Sequence, residues 1–209
     1  MKNTKRNSYS ESKEQILLAA LNLFSHKGYT QTTIRDIIAV SGVTAPSIYH
    51  YFTNKEGILE EILKINFLMI DNYFDSYTDD SLSTKIRLKN IVNTTYLFIM
   101  ENRDFFRFWF SAYYGPSNGT PQLEFITSHA FEFHLKFTLL IKKALAEGVK
   151  TKEVGPKNHN AIAWTIRSMF QLAINEMIRQ GSMKAINREL LAQYLDFVLE
   201  AFKKKPNLS

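Results

Sequence analysis

The chain has 209 residues, 45% of them hydrophobic, which is enough for a sizeable core in one large domain or two small ones. It holds no cysteine, which excludes a disulfide scaffold and thiol catalysis and leaves any metal site to histidine and carboxylate. The formal charge of +6 favours a polyanionic partner, but residues 1 to 57 carry seven Lys/Arg against four Asp/Glu and residues 101 to 209 fifteen against ten, so charge alone locates no site. No apolar run approaches the roughly 20 residues that a membrane-spanning helix needs, and no signal peptide is recognisable, so a soluble cytoplasmic protein without a membrane partner is expected.

The leader MKNTKRNSYS reads as a solvated tail, or alternatively as a basic arm whose Lys2, Lys5 and Arg6 reach a phosphate backbone. A first helix follows. Ile16, Leu17, Ala20, Leu21 and Phe24 share one face, Ser12 and Gln15 have capping-box spacing, and Gly28 ends the helix after Lys27. Leu23 and Tyr29 complete a small core.

Residues 32 to 58, TTIRDIIAVSGVTAPSIYHYFTNKEGI, read as two short helices joined at a glycine turn. Thr32 or Thr33 caps the first, whose Ile34, Ile37 and Ile38 recur at the i, i+3, i+4 spacing of a buried stripe. Gly42 supplies the left-handed backbone that stops it, and Val43 turns back into the core. Thr44 is expected to cap the second helix, with Pro46 in its first turn, where a missing amide hydrogen does no harm. The exposed face then carries Ser47, Tyr49, His50 and Tyr51, groups able to hold phosphates and read base edges from the major groove. A plain helical hairpin with tyrosines covering its core has the same outline.

The stretch SKEQILLAALNLFSHKGYTQTTIRDIIAVSGVTAPSIYHYFTNKEGI, Ser12 to Ile58, resembles the amino-terminal domain of TetR-family transcriptional regulators in its LFSHKG helix ending, TTIRDI helix, GVT turn, IYHYF recognition helix and NKE start of the next helix. The resemblance implies a DNA-binding surface of Thr33, Arg35, Thr44, Ala45, Pro46, Ser47, Tyr49, His50, Tyr51 and Lys55. Within it, Ser47, Tyr49 and Lys55 would grip the phosphate backbone, while Arg35 and Thr44 would reach bases or phosphates. Ala45, Pro46, His50 and Tyr51 would face bases or sugars. Pro46 departs from the glycine that many family members carry, and Ala45 is too short for a bidentate base contact, although its methyl can meet a thymine methyl.

Beyond Lys55 the pattern is helical throughout. A long helix is expected over about 54 to 77, with Leu59, Ile62, Leu63, Phe67, Ile70, Phe74 and Tyr77 inward, and others over 82 to 100 and through DFFRFWFSAYY until Gly115-Pro116. Thr120-Pro121 opens a further helix that ends near Gly148, and the last two span about 157 to 180 and 188 to 204, the latter capped by Asn187 with an Ile186 to Leu191 staple. Dense rings from Phe105 to Phe137 build a core or line an apolar cavity. The expected effector site is Phe106, Trp109, Phe110, Tyr113, His129, Phe133, Trp164 and Arg167, with His134, Arg107 and Asn175 as further polar groups. His129 and His134, five apart, fall on different faces, and no metal or cofactor is expected.

Two apolar stripes close the chain: Ile162, Ile166, Met169, Phe170, Ala173 and Met177, then Leu191, Tyr194, Leu195, Val198, Leu199 and Phe202. They are read as a homodimer interface, since a helix-turn-helix usually needs a two-fold partner for its two half-sites. No phosphate loop, metal-spaced His/Glu set or nucleophile elbow supports an enzyme. The expectation is an all-α protein: residues 1–54 form a three-helix DNA-binding domain with a helix-turn-helix, and residues 55–209 a helical ligand-binding and dimerisation domain. It would act on palindromic double-stranded operator DNA, as a repressor released by an apolar or aromatic small molecule. The alternative is an architectural DNA-binding protein without an effector.

Overall fold

The computed structural model describes residues 2–77, 83–114, 121–155, 159–180 and 188–201. Among them run α1 (Lys2–His26), α2 (Ile34–Ser41), α3 (Ala45–Tyr51), α4 (Lys55–Ser76), α5 (Thr84–Glu101), α6 (Arg103–Tyr114), α7 (Pro121–Lys150), α8 (His159–Gln180) and α9 (Arg188–Ala201), with no strand. The all-α expectation holds. No helix among the described residues is long and apolar enough to cross a membrane. Gly115-Pro116, the caps Thr120 and Asn187, Ile186 and Phe202 lie outside the described residues, as do the side chains of Phe125 and Met177.

The first helix departs from expectation at its start. The leader contains neither glycine nor proline, so nothing in it halts a helix; α1 begins at Lys2, and Ser12 lies in its interior rather than at a cap. Its end is as read: Lys27 N–H still reaches the Leu23 carbonyl, and Gly28 then takes φ +90°.

Two compact units divide the chain, one of Met1–Asn72 with Asn102–Ala130 and the other of Tyr73–Glu101 with Phe131–Ser209. The divisions fall inside α4 and α7 and between α5 and α6. A buried stripe continues along α4 through Leu59, Leu63, Phe67, Ile70 and Phe74, so the helix has no apolar gap at which a domain would end.

In the first unit α1 packs on α2, α3 and α6. Ile16, Ala20 and Phe24 meet a core that includes Ile37, Ile48, Ile58 and the rings of Phe105, Phe106, Phe108 and Trp109, all buried. The rings of α6 enlarge the apolar core that α1, α2 and α3 share; Phe24 and Phe108 lie 5.8 Å apart.

In the second unit α9 packs on α5 and α8. Phe137 of α7 meets Phe170 of α8 at 4.8 Å, and Lys85 and Lys89 of α5 pair with Asp196 of α9 at 2.9 and 2.7 Å. The stripes read as a dimer interface are largely spent inside this unit: Ile162, Ile166, Phe170, Ala173, Leu191, Leu195 and Val198 are all buried. A period of 3.6 identifies a covered face but not what covers it, and here the chain's own helices do so. The large apolar side chains left exposed on α8 and α9 are instead Trp164, Leu172, Tyr194 and Phe197.

Candidate nucleic-acid interface

Thr33 stands in extended backbone at the start of α2 and exchanges a reciprocal pair of bonds with Asp36: the Asp36 N–H donates to the Thr33 hydroxyl at 3.2 Å, and the Thr33 N–H donates to the Asp36 carboxylate at 2.8 Å. Lys27 reaches the same carboxylate at 2.7 Å, tying the end of α1 to α2. The Lys27 bond first, and then the Thr33 amide and hydroxyl, lower the Asp36 carboxyl to about 2. Asp36 was missed as a site-building residue, although a threonine followed three residues later by an acid is a capping signal. Thr32 is buried, its hydroxyl donating to the Gly28 carbonyl at 2.8 Å.

At the turn Gly42 adopts φ +68° and donates to the Ile38 carbonyl at 3.1 Å, while Val43 is buried. Thr44 holds the position before α3, but its side chain caps no backbone amide; the hydroxyl lies 3.0 Å from that of Ser47. Pro46 lies in the first turn of α3, and a proline there leaves fewer amides for a cap to satisfy. Ile48 is fully buried and anchors α3, which leaves Thr44, Pro46, Tyr49 and His50 exposed, with Ala45, Ser47 and Tyr51 half-buried. Tyr51 meets the His50 ring edge-on at 5.1 Å. Arg35 is exposed on α2.

Lys55 is engaged elsewhere. Its ammonium donates to the carbonyls of Tyr29 and Thr32 at 2.8 and 2.9 Å and lies 4.3 Å from the Tyr29 ring centroid. The Tyr29 hydroxyl donates to Glu56 at 3.2 Å, and burial followed by the Glu56 charge raises its pKa. Lys55 thus closes the hairpin from behind, with its charge spent on backbone.

The residues expected to line an effector site are divided between the two units. Phe106, Trp109 and Phe110 are buried in the first unit, and Trp109 Nε1 donates to the Ile126 carbonyl at 3.1 Å. Tyr113 is half-buried, and the His129 ring stacks on Phe67 at 4.0 Å. Arg107 bonds His26 at 2.7 Å. Phe133, Trp164 and Arg167 belong to the second unit: Phe133 is buried, Trp164 is 52% exposed, and Arg167 lies 4.6 Å over the Trp164 ring. Asn175 accepts from Gln171 at 2.9 Å. An apolar cleft in that unit, bordered by Val92, Ile166, Phe170 and Leu195, has a cavity volume of about 10 Å³, room for one water and no organic effector. Among the described residues no three His, Cys, Asp or Glu are grouped to hold a metal.

Residues 16–62 match the model of the family described as bacterial regulatory proteins, tetR family. These residues, which hold the helix-turn-helix and its flanking helices, are thus similar to the amino-terminal segment of that family. Over 90 residues it is 34% identical to the HTH-type transcriptional repressor KstR2 of Rhodococcus jostii, a match covering 42% of this chain and 43% of that one. The chain thus matches less than half the length of this relative, which is named as a transcriptional regulator and not as an enzyme. Among solved structures it resembles a tetR-family bacterial regulatory protein from Rhodococcus RHA1, with a TM-score of 0.67, 20% identity and 93% and 98% of the two chains covered. It also resembles the fatty acid degradation regulator FadR of Bacillus halodurans, with a TM-score of 0.64, 16% identity and 92% and 97% covered. At such identities the likeness concerns the fold alone, and it extends beyond the matched amino-terminal segment.

Proposed function

We propose that this protein is a cytoplasmic, ligand-responsive transcriptional repressor of the TetR family that binds a palindromic operator as a homodimer. The observation that carries the DNA-binding half is the recognition surface: buried Ile37 and Ile48 hold α2 and α3 by one side, and Arg35, Thr44, Pro46, Tyr49 and His50 are turned outward together. Hydroxyls, an imidazole and a guanidinium on so short a hairpin match what reads the major groove. Half-sites about 34 Å apart call for a second copy, and the exposed Leu172, Tyr194 and Phe197 of α8 and α9 supply apolar surface for it. Repression agrees with the similarity to KstR2, a transcriptional repressor.

An effector acts only through its differential affinity for the DNA-competent and DNA-incompetent conformations. The packed rings around Trp109 favour a second reading, an architectural DNA-binding protein without an effector. Selecting operators from random DNA and then measuring affinity for the selected sequence with and without candidate compounds separates the readings. A palindromic consensus with ligand-dependent affinity supports the regulator. A consensus that no compound affects supports the architectural protein, and no consensus sinks both.

A further inference from the structure

We propose that the seam between α7 and α8 around Arg167 is a binding site for the carboxylate of a small organic acid. The proposal rests on the ligand-responsive reading above and names the ligand class. Arg167 projects from α8 with its guanidinium stacked over Trp164 at 4.6 Å, and its Nε is buried without a hydrogen-bond partner among the described residues. No carboxylate among them pairs with it. The neighbour from α7 is His134, only 8% exposed, and burial together with the Arg167 charge lowers its pKa to about 4. His134 is therefore neutral near pH 7, and no carboxylate among the described residues answers the arginine's positive charge in this half-buried seam.

A donor withdrawn from water without an acceptor is costly, and an uncompensated charge more so. The planar guanidinium fork matches a carboxylate bidentately, which a compact cation does not. Trp164 covers one face of the fork, so an acid approaches along its edge. The exposed indole then offers an apolar wall for the rest of the molecule.

Isothermal titration of the full chain with octanoate and benzoate, against octanamide and benzamide, tests the charge directly, since each amide keeps the shape of its acid and removes the anion. At least one acid is expected to bind one per chain and at least about tenfold more tightly than its amide. Arg167→Met should erase that difference without lowering the melting temperature, and Arg167→Lys should retain part of it. Acids that bind no better than their amides overturn the proposal, as does a preference that survives Arg167→Met or inorganic phosphate binding as well as the acids. If Arg167→Met turns a dimer into monomers in sedimentation equilibrium while the acids do not bind, the carboxylate comes from a second copy and the proposal fails. Operator binding measured on the same samples keeps the failures apart: protein that still binds operator but no acid loses this site and not its DNA-binding role.

Discussion

The Lys55 ammonium donates to the Tyr29 carbonyl at 2.8 Å while sitting 4.3 Å from the centroid of the same residue's ring, so one side chain at the head of α4 holds both the backbone and the ring of the turn behind the helix-turn-helix. A lysine bound in this way is a strut. Lys55→Met should lower stability to urea by about 2 kcal/mol, the scale of a lost charge-assisted bond. If Lys55 instead gripped a phosphate, its loss would reduce the slope of log affinity against log salt by about 0.9. We expect that slope to hold in the variant. A reduced slope with unchanged urea stability would show that the strut role is wrong.

The outward set on α2 and α3 separates into positioning and reading groups. Tyr49 is 59% exposed with a hydroxyl suited to phosphate, so Tyr49→Phe should weaken binding by a similar factor on all DNA sequences. Arg35→Ala and His50→Ala should cost about 1 to 3 kcal/mol on the preferred operator and less on variants altered at the contacted base. Competition binding across a set of single-base operator variants gives the pattern. A sequence-selective effect of Tyr49→Phe would reverse the assignment.

The hairpin was legible because its signals are local. Gly42 had to take a positive φ, Pro46 had to sit in a first turn, and Ile37 and Ile48 had to face inward, all within a few residues of one another. The engagement of Lys55 was not legible, because its acceptors are the carbonyls of residues 26 and 23 positions earlier in the chain. What covers the α8 and α9 stripes was not legible for a related reason: periodicity marked Ile166 and Leu195 as covered, and only the packing of the chain showed that its own helices cover them. The ring run of α6 was correctly seen as apolar, yet nothing in its spacing told a cavity lining from a core contact such as Phe24 with Phe108.

His134 makes an acid limb predictable. Its pKa is about 4 in the fold, lowered first by burial and then by Arg167, whereas an unfolded histidine titrates near 6.5. Between those values the unfolded chain binds the extra proton. The stability contributed by the neutral ring is therefore complete above about pH 6.5 and is lost as pH falls toward 4, by up to about 3 kcal/mol. Carboxylates such as Asp36 also lose stabilisation at still lower pH, so the readout is a difference. His134→Gln should remove the portion between pH 6.5 and 4 in urea midpoints measured across that range. Parallel curves for the two proteins would show that the ring is solvated.

Gly148 lies where the end of α7 meets the start of α5, and a Cβ there would fall on the Thr84 hydroxyl and methyl. Alanine inside a helix normally gains up to about 1 kcal/mol over glycine. Overpacking a buried contact costs about 1 to 3 kcal/mol, and Thr84 is itself buried with its N–H held by Glu153 at 2.8 Å. Gly148→Ala should thus destabilise. The cost should shrink when Thr84→Ala is added, which a double-mutant cycle in urea measures. An additive pair would show that the approach of the two helices is not what fixes the glycine.

The exposed and buried residues of α8 and α9 should respond oppositely to substitution. Phe197 is 73% exposed and Leu172 70%, so in a single copy neither contributes a buried apolar side chain, whereas Leu195 is 4% exposed and lies in the core. Leu195→Ala should cost about 2 to 5 kcal/mol of stability whatever the oligomeric state. Phe197→Glu or Leu172→Glu should leave the helical content and the fold of the isolated chain intact. In a two-fold assembly, however, each change is made twice, and it exchanges apolar burial worth about 1.5 to 3 kcal/mol per side chain for a desolvated carboxylate. Sedimentation should show a dimer for the natural sequence and monomers for both glutamate variants, and operator affinity should fall in step because two half-sites no longer bind one particle. If the glutamate variants sediment with the natural protein, this face is not the interface. If they are monomeric and still bind a palindromic operator at full affinity, dimerisation is not required for recognition.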